Sequence, residues 1–234
     1  MELLSFSDNG WGRQLVEGAW LTIRLAGATL PFGIFLGLLL AFAITGKNRM
    51  LAKIAVGFTT IFKALPELLT IFIIYYGSQF AFQSALNVFF SGVKVEIPAF
   101  VAGMAALGVV FASFAAEIFV ASTNAVPKGQ YEAASAIGLS SSDAWWSVIF
   151  PQMWRLALPG LGNLWFVLLK DTALVSAIAL SDLMRQTSIA VANTKQPIFF
   201  YVVACAIYLV MSLVSSGVIR LMETRANAAY VGAR

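Results

Sequence analysis

Apolar positions fill five long runs of this chain, and polar positions gather between them. The runs cover about Trp20–Thr45, Ile54–Tyr76, Pro98–Ala121, Leu156–Leu180 and Phe199–Met222. Each holds the roughly 20 residues that a helix needs to cross a hydrocarbon core. None alternates like the ~10-residue strands of a membrane barrel. The pattern predicts an all-α integral membrane protein with five transmembrane helices, forming one transmembrane domain over residues 1–234. The leading MELLSFSDNGWGRQ lacks a basic stretch followed by a short apolar core, so the first run is expected to be a span rather than a cleaved signal.

The longest polar interruption is residues 122–155, which contains GQYEAASAIGLSSSDAWWSVIFPQ. Gln130–Ile137 predicts a short helix that Gly138 stops, because glycine takes the left-handed conformation without penalty. Ser140 then starts a second helix, with Asp143 at capping-box spacing. Pro151 is expected to end that helix, because its ring removes a hydrogen-bond donor. Two short helices about a tight turn make a rigid knob suited to contact with another protein. An amphipathic pair lying on lipid headgroups is the alternative, and Trp145, Trp146 and Trp154 would fit it.

A charge near mid-bilayer costs at least about 2.5–3.5 kcal/mol, so ionisable residues inside the runs are functional candidates. Lys63 and Glu67 stand four apart in the second run and so share one helix face, while Pro66 between them deletes a hydrogen-bond donor and breaks the helix at mid-membrane, as is tolerated where it faces a cavity or other protein. Either they neutralise each other, or they line a pathway and meet a solute's carboxylate and ammonium. Lys170 and Asp171 interrupt the fourth run, and being adjacent they are expected to pair elsewhere, for instance with Glu67 or Lys63. Thr172 and Ser176 add polarity beyond them. Glu117 in the third run reads as a packing charge, and Arg24 in the first as a residue that snorkels to the interface. Gly27, Gly33 and Gly37 in the first run suggest close helix approach. Ser181–Leu183 with RQTSIAVANTKQP forms a segment between the last two runs that could be helical.

Composition agrees and narrows the options. The 234 residues are 60% hydrophobic and 11% charged, against about 25% charged in soluble domains. The single cysteine, Cys205, lies in an apolar run and reads as a small buried hydrophobe. With no histidine, a transition-metal site is disfavoured. The net charge of +4 is explained by basic residues flanking the spans and implies no nucleic-acid partner. One set of flanks holds Lys47, Arg49, Lys53, Lys128, Arg155, Arg220, Arg225 and Arg234, and the other holds Arg13, Lys94, Arg185 and Lys195. The positive-inside rule then places the N-terminus outside, and the C-terminus and residues 122–155 in the cytoplasm. There is no phosphate-binding GxxxxGK[ST] motif. Five spans without an internal repeat suggest half of a dimeric pathway. On the residues alone, half of an energised transporter, a passive small-solute channel and a membrane scaffold that recruits a cytoplasmic protein all remain open.

EAASAIGLSSSDAWWSVIFP resembles the EAA loop of bacterial binding-protein-dependent ABC importer permeases: Glu132, Ala133, Ala134, then Gly138, then Ile149, Phe150 and Pro151. FAAEIFVASTNAVPKGQ, LPGLGNLWFVLLKDTALVSAIALSDL and KALPELLTIFIIYYG resemble the polar amino acid branch, with the histidine, lysine/arginine/ornithine and opine systems nearest. The likeness runs from about Gly18 to Arg225. Lys63 departs from it: many relatives have Arg there, and lysine lacks the planar fork. The resemblance implies a type I ABC importer permease fold in a bacterial inner membrane. It implies that 122–155 is a cytoplasmic coupling loop, in which Glu132, Ala133, Ala134, Gly138, Leu139 and Pro151 meet a separate ATP-binding subunit, present in two copies and carrying the ATP-Mg. It implies a second homologous permease as a distinct chain, an extracytoplasmic solute-binding protein that the segment after Ser181 could receive, and a polar amino acid as solute, basic amino acids or opines foremost. Lys63, Glu67, Lys170 and Asp171 would line the pathway. This chain itself would bind no cofactor and catalyse nothing.

Overall fold

A computed structural model describes residues 2–6, 10–89, 96–178 and 180–231. Lys94 and Arg234, two of the charges used to orient the chain, lie outside the described residues. The elements are α1 (Gly12–Thr45), α2 (Arg49–Ala64), α3 (Glu67–Phe89), α4 (Ala99–Asn124), α5 (Lys128–Ala136), α6 (Ser141–Ala144), α7 (Phe150–Asp171), α8 (Leu183–Thr194) and α9 (Pro197–Val231). Among the described residues, α1, α4, the continuous run Ser141–Ile178 and α9 are each long and apolar enough to span a membrane. α2 and α3 qualify only as a pair, which is bent by 113° in the manner of a broken span or a re-entrant loop.

The break falls at Pro66, where the sequence places it, but the bend is too sharp to leave Lys63 and Glu67 on one helix face. Leu65 is extended at φ −77°, ψ 141°, as the residue before a proline prefers. Pro66 has no N–H to donate, and its carbonyl instead accepts from Thr70 as α3 begins, at 3.0 Å. Lys63 therefore ends one helix and Glu67 starts another. Such a break at membrane depth is tolerated where it is covered by protein or lines a cavity.

The core is built around α4. About three-fifths of its spanning stretch is buried, against less than a fifth for α9. Two of the three glycines singled out in α1 do what was expected. A Cβ on Gly37 would stand 2.9 Å from that of Ala115, and one on Gly33 would collide with Phe111, so α1 lies tightly on α4. Gly27 faces open space instead. Cys205 is also exposed rather than buried. It lies on α9, which packs chiefly on α7 and α8, so much of its circumference is unpartnered in the isolated chain.

Candidate functional site

The knob forms largely as its sequence specifies. Gly138 adopts φ +81°, and the turn closes with Gly138 N–H donating to Ser135 and Leu139 N–H to Ala134, at 3.0 and 3.1 Å. This is the helix-ending geometry that glycine alone takes freely. Ser140 Oγ accepts from the Asp143 amide at 3.2 Å and donates to Asp143 Oδ2 at 2.6 Å. The carboxylate thus holds the hydroxyl of its capping partner.

Pro151 does not end the second helix. Residues Trp145–Ile149 form a π turn, in which the Phe150 N–H reaches back to Trp145. This one-residue slip carries the helix past Pro151, which has no N–H to donate, in the first turn of α7. The knob's second helix is therefore continuous with the fourth span.

Three contacts seat the knob. Gln152 Nε2 donates to Gln130 Oε1 at 3.1 Å and to the Val148 carbonyl at 2.9 Å, tying α5 to the root of α7. Trp145 meets Phe42 of α1 edge-on at 5.3 Å. Ala134 is 2% exposed, so its small side chain lets α5 approach its own chain. Glu132, Ala133, Gly138 and Pro151 are exposed and Leu139 is half-buried. Of the expected contact residues, Glu132 and Ala133 thus face outward from α5, together with Tyr131 and the 76%-exposed Ile137. The tryptophans do not form a common lipid-facing set: Trp146 is exposed, Trp145 packs on Phe42, and Trp154 stacks on Phe119 and Phe150.

A second group of charges lies around the break. Lys63 pairs with Glu117 of α4 rather than with Glu67. The break turns Glu67 away, while the end of α2 lies against α4. Glu117 is thus a bridge between spans. Glu67 lies close enough to Asp171 for its charge to act on that carboxylate, and Lys170 is adjacent. Neither Glu67 nor Lys170 forms a salt bridge among the described residues. Lys170 is exposed and Glu67 and Asp171 are half-buried. At Asp171 the α-helix tightens into a 3₁₀ stretch, Thr172–Ile178. Thr172 and Ser176 turn their hydroxyls back onto Leu169 and Ala173, at 2.7 and 2.8 Å, so they offer little to a solute.

Asp182, in the segment that follows the fourth run, has a role of its own that the sequence reading does not give it. It is fully buried and caps α8, accepting from the amides of Met184 and Arg185 at 3.2 and 3.1 Å. An Asp directly before a helical run is a start signal that could have revealed the cap. The next amide, Leu183, donates to Thr22 Oγ1 of α1 at 3.3 Å. Burial pushes the Asp182 carboxyl up to about 6, against the pull of the capping amides and of Arg185. Its folded form thus holds a proton more tightly than its unfolded form, and this contribution to stability is lost as pH rises from the ordinary value of 3.8 through about 6. Asn keeps the cap without the charge. Asp182→Asn is expected to remove a melting-temperature difference of about 2–4 °C between pH 5 and pH 7.5, read by thermal unfolding of the purified protein.

Comparison with known proteins agrees with this architecture. Residues 33–228 match the family described as binding-protein-dependent transport system inner membrane component. The chain is 40% identical to the arginine ABC transporter permease protein ArtQ of Haemophilus influenzae, covering 90% of this chain and 92% of that protein. It is 35% identical to the octopine transport system permease protein OccQ of Rhizobium meliloti, covering 96% and 95%. It superposes with a TM-score of 0.79 and 32% identity on a crystal structure of an amino acid ABC transporter with histidines, covering 92% of this chain and 95% of that one.

Proposed function

Since the chain belongs to the family of binding-protein-dependent transport system inner membrane components, we propose that it carries a basic amino acid or a related opine across the membrane, moved by a separate ATPase that acts on its knob. It is a permease subunit, and the passive-channel and scaffold readings give way to that membership. The observation that carries the coupling is the unbroken helical run Ser141–Ile178. One end is half of the knob, and the other holds Lys170 and Asp171. Force on α5 passes through the Gln130–Gln152 clamp into a rod that reaches the charged group.

In this reading α5 and α6 lie in the cytoplasm, the N-terminus lies outside, and residues 122–155 are the coupling loop. Glu132 and Ala133 meet the ATPase, which binds ATP-Mg in two copies. Gly138 and Leu139 set the angle of the knob, Ala134 seats it, and Pro151 marks the joint with α7. A second, related permease completes the pathway, and a binding protein delivers the solute near α8. Lys63 is held by Glu117 and so forms wall rather than binding site. The neighbouring carboxylates of Glu67 and Asp171 suit a cationic side chain, and Lys170 suits the α-carboxylate. Nearness of the relatives' arginine and octopine systems supports the same solute class.

The test is uptake into proteoliposomes that hold this chain, its partner permease and the ATPase, with binding protein added outside. Arginine, ornithine and octopine are expected to enter, and glutamate is not. Glu67→Gln is expected to raise the KM for the cationic solutes about tenfold, the loss of one charge-assisted contact. Equal uptake of glutamate, or an unchanged KM, would remove the basis for the solute class.

A further inference from the structure

Away from the pathway charges, α1, α7 and α9 border a half-open apolar slot of about 340 Å³. Leu30, Ile34, Trp154, Leu161, Trp165 and Val218 line it, and almost no polar surface faces inward. The volume falls within the roughly 300–1,000 Å³ range of small-molecule sites. From Trp154 to Trp165 the slot runs roughly 16 Å along α7 at about 1.5 Å per residue. That is the depth of one leaflet, half of a hydrocarbon core about 30 Å thick.

The slot changes character at its end near the knob. Glu223, which lines it there, also lines an adjoining concavity of about 330 Å³ with Arg155 and Asn227. Arg155 and Glu223 are half-buried. An apolar channel one leaflet long thus opens into a mouth that carries one cation and one anion. We infer that this is a phospholipid site: an acyl chain fills the slot, and a headgroup with a primary amine sits in the mouth. Arg155 faces the phosphate, since guanidinium binds phosphate oxygens with paired N–H groups. Glu223 accepts from the ammonium. Neither a wholly anionic headgroup nor a quaternary amine gives Glu223 an ammonium N–H to accept. A soluble polar ligand would find almost no polar partner along an apolar slot of this length.

The site is tested on the complete transporter, equilibrated in vesicles of equal phosphatidylethanolamine, phosphatidylcholine and phosphatidylglycerol, then released for native mass spectrometry. Wild type is expected to retain phosphatidylethanolamine over phosphatidylcholine about tenfold, the worth of one hydrogen bond to a charged group. Glu223→Gln is expected to bring that ratio close to one while lipid is still retained. Val218→Trp fills the slot and is expected to release all three lipids. Equal retention of the three headgroups by wild type would overturn the headgroup assignment. Unchanged retention in Val218→Trp, or cross-linking of Val218→Cys to the second permease, would overturn the site itself.

Discussion

Replacing Glu132 with Arg is expected to stop transport while leaving the fold intact. Glu132 is exposed on α5 and holds no hydrogen bond or ion pair among the described residues. The knob is held instead by the Gly138 turn, the Ser140 cap and the glutamine clamp. Charge reversal should therefore cost little in the isolated subunit. At an interface, losing one member of a close charge pair costs about 2–5 kcal/mol, and reversal adds repulsion. Uptake by the reconstituted complex is expected to fall by more than tenfold. ATP hydrolysis should also lose its response to loaded binding protein, and the melting temperature of the permease should stay unchanged. A transport-competent Glu132→Arg protein would place the coupling contact elsewhere.

The second large effect concerns the pair that bridges the broken span. Lys63 has 21% of its side chain exposed and Glu117 has 59%. Removing one partner of a fully buried pair costs about 3–5 kcal/mol. The open carboxylate lowers the expected cost of Lys63→Met to about 1–3 kcal/mol, since exposed pairs are worth little. Lys63→Met should lower the yield of folded protein several-fold, and adding Glu117→Gln should restore it, because no charge then stands alone. A double-mutant cycle read by thermal unfolding is expected to show coupling of about 1–2 kcal/mol. No coupling would mean that the pair contributes nothing to holding α2 on α4. The same cycle with Glu67 in place of Glu117 is expected to give none.

These contacts show which features a single sequence carries and which it hides. The spans were readable because apolar length in lipid is a property of a continuous segment. The Gly138 turn and the Ser140 cap were readable because each is completed within a few residues. The Lys63–Glu117 pair was not, since its partners are 54 residues apart and a nearer acid, Glu67, stood at helical spacing. Gln130 and Gln152 are 22 residues apart and leave no local signal. Pro151 misled because a π turn absorbs it. The motif gives Ala134 as a contact residue for the ATP-binding subunit and does not reveal that α5 buries it against its own chain. The exposure of Cys205 depends on how few helices cover α9, which an apolar run does not reveal.

If the knob couples mechanically to a separate ATPase, the two travel together, and co-purification reads this without reconstitution. The chain, tagged at its C-terminus, would be extracted from its native membrane in mild detergent, and its companions identified by mass spectrometry. A P-loop ATPase and a second permease are expected with the wild-type chain, and loss of the ATPase alone with Glu132→Arg. Absence of any ATPase from the wild-type complex, or its full retention by Glu132→Arg, would mean that the knob is not the coupling contact.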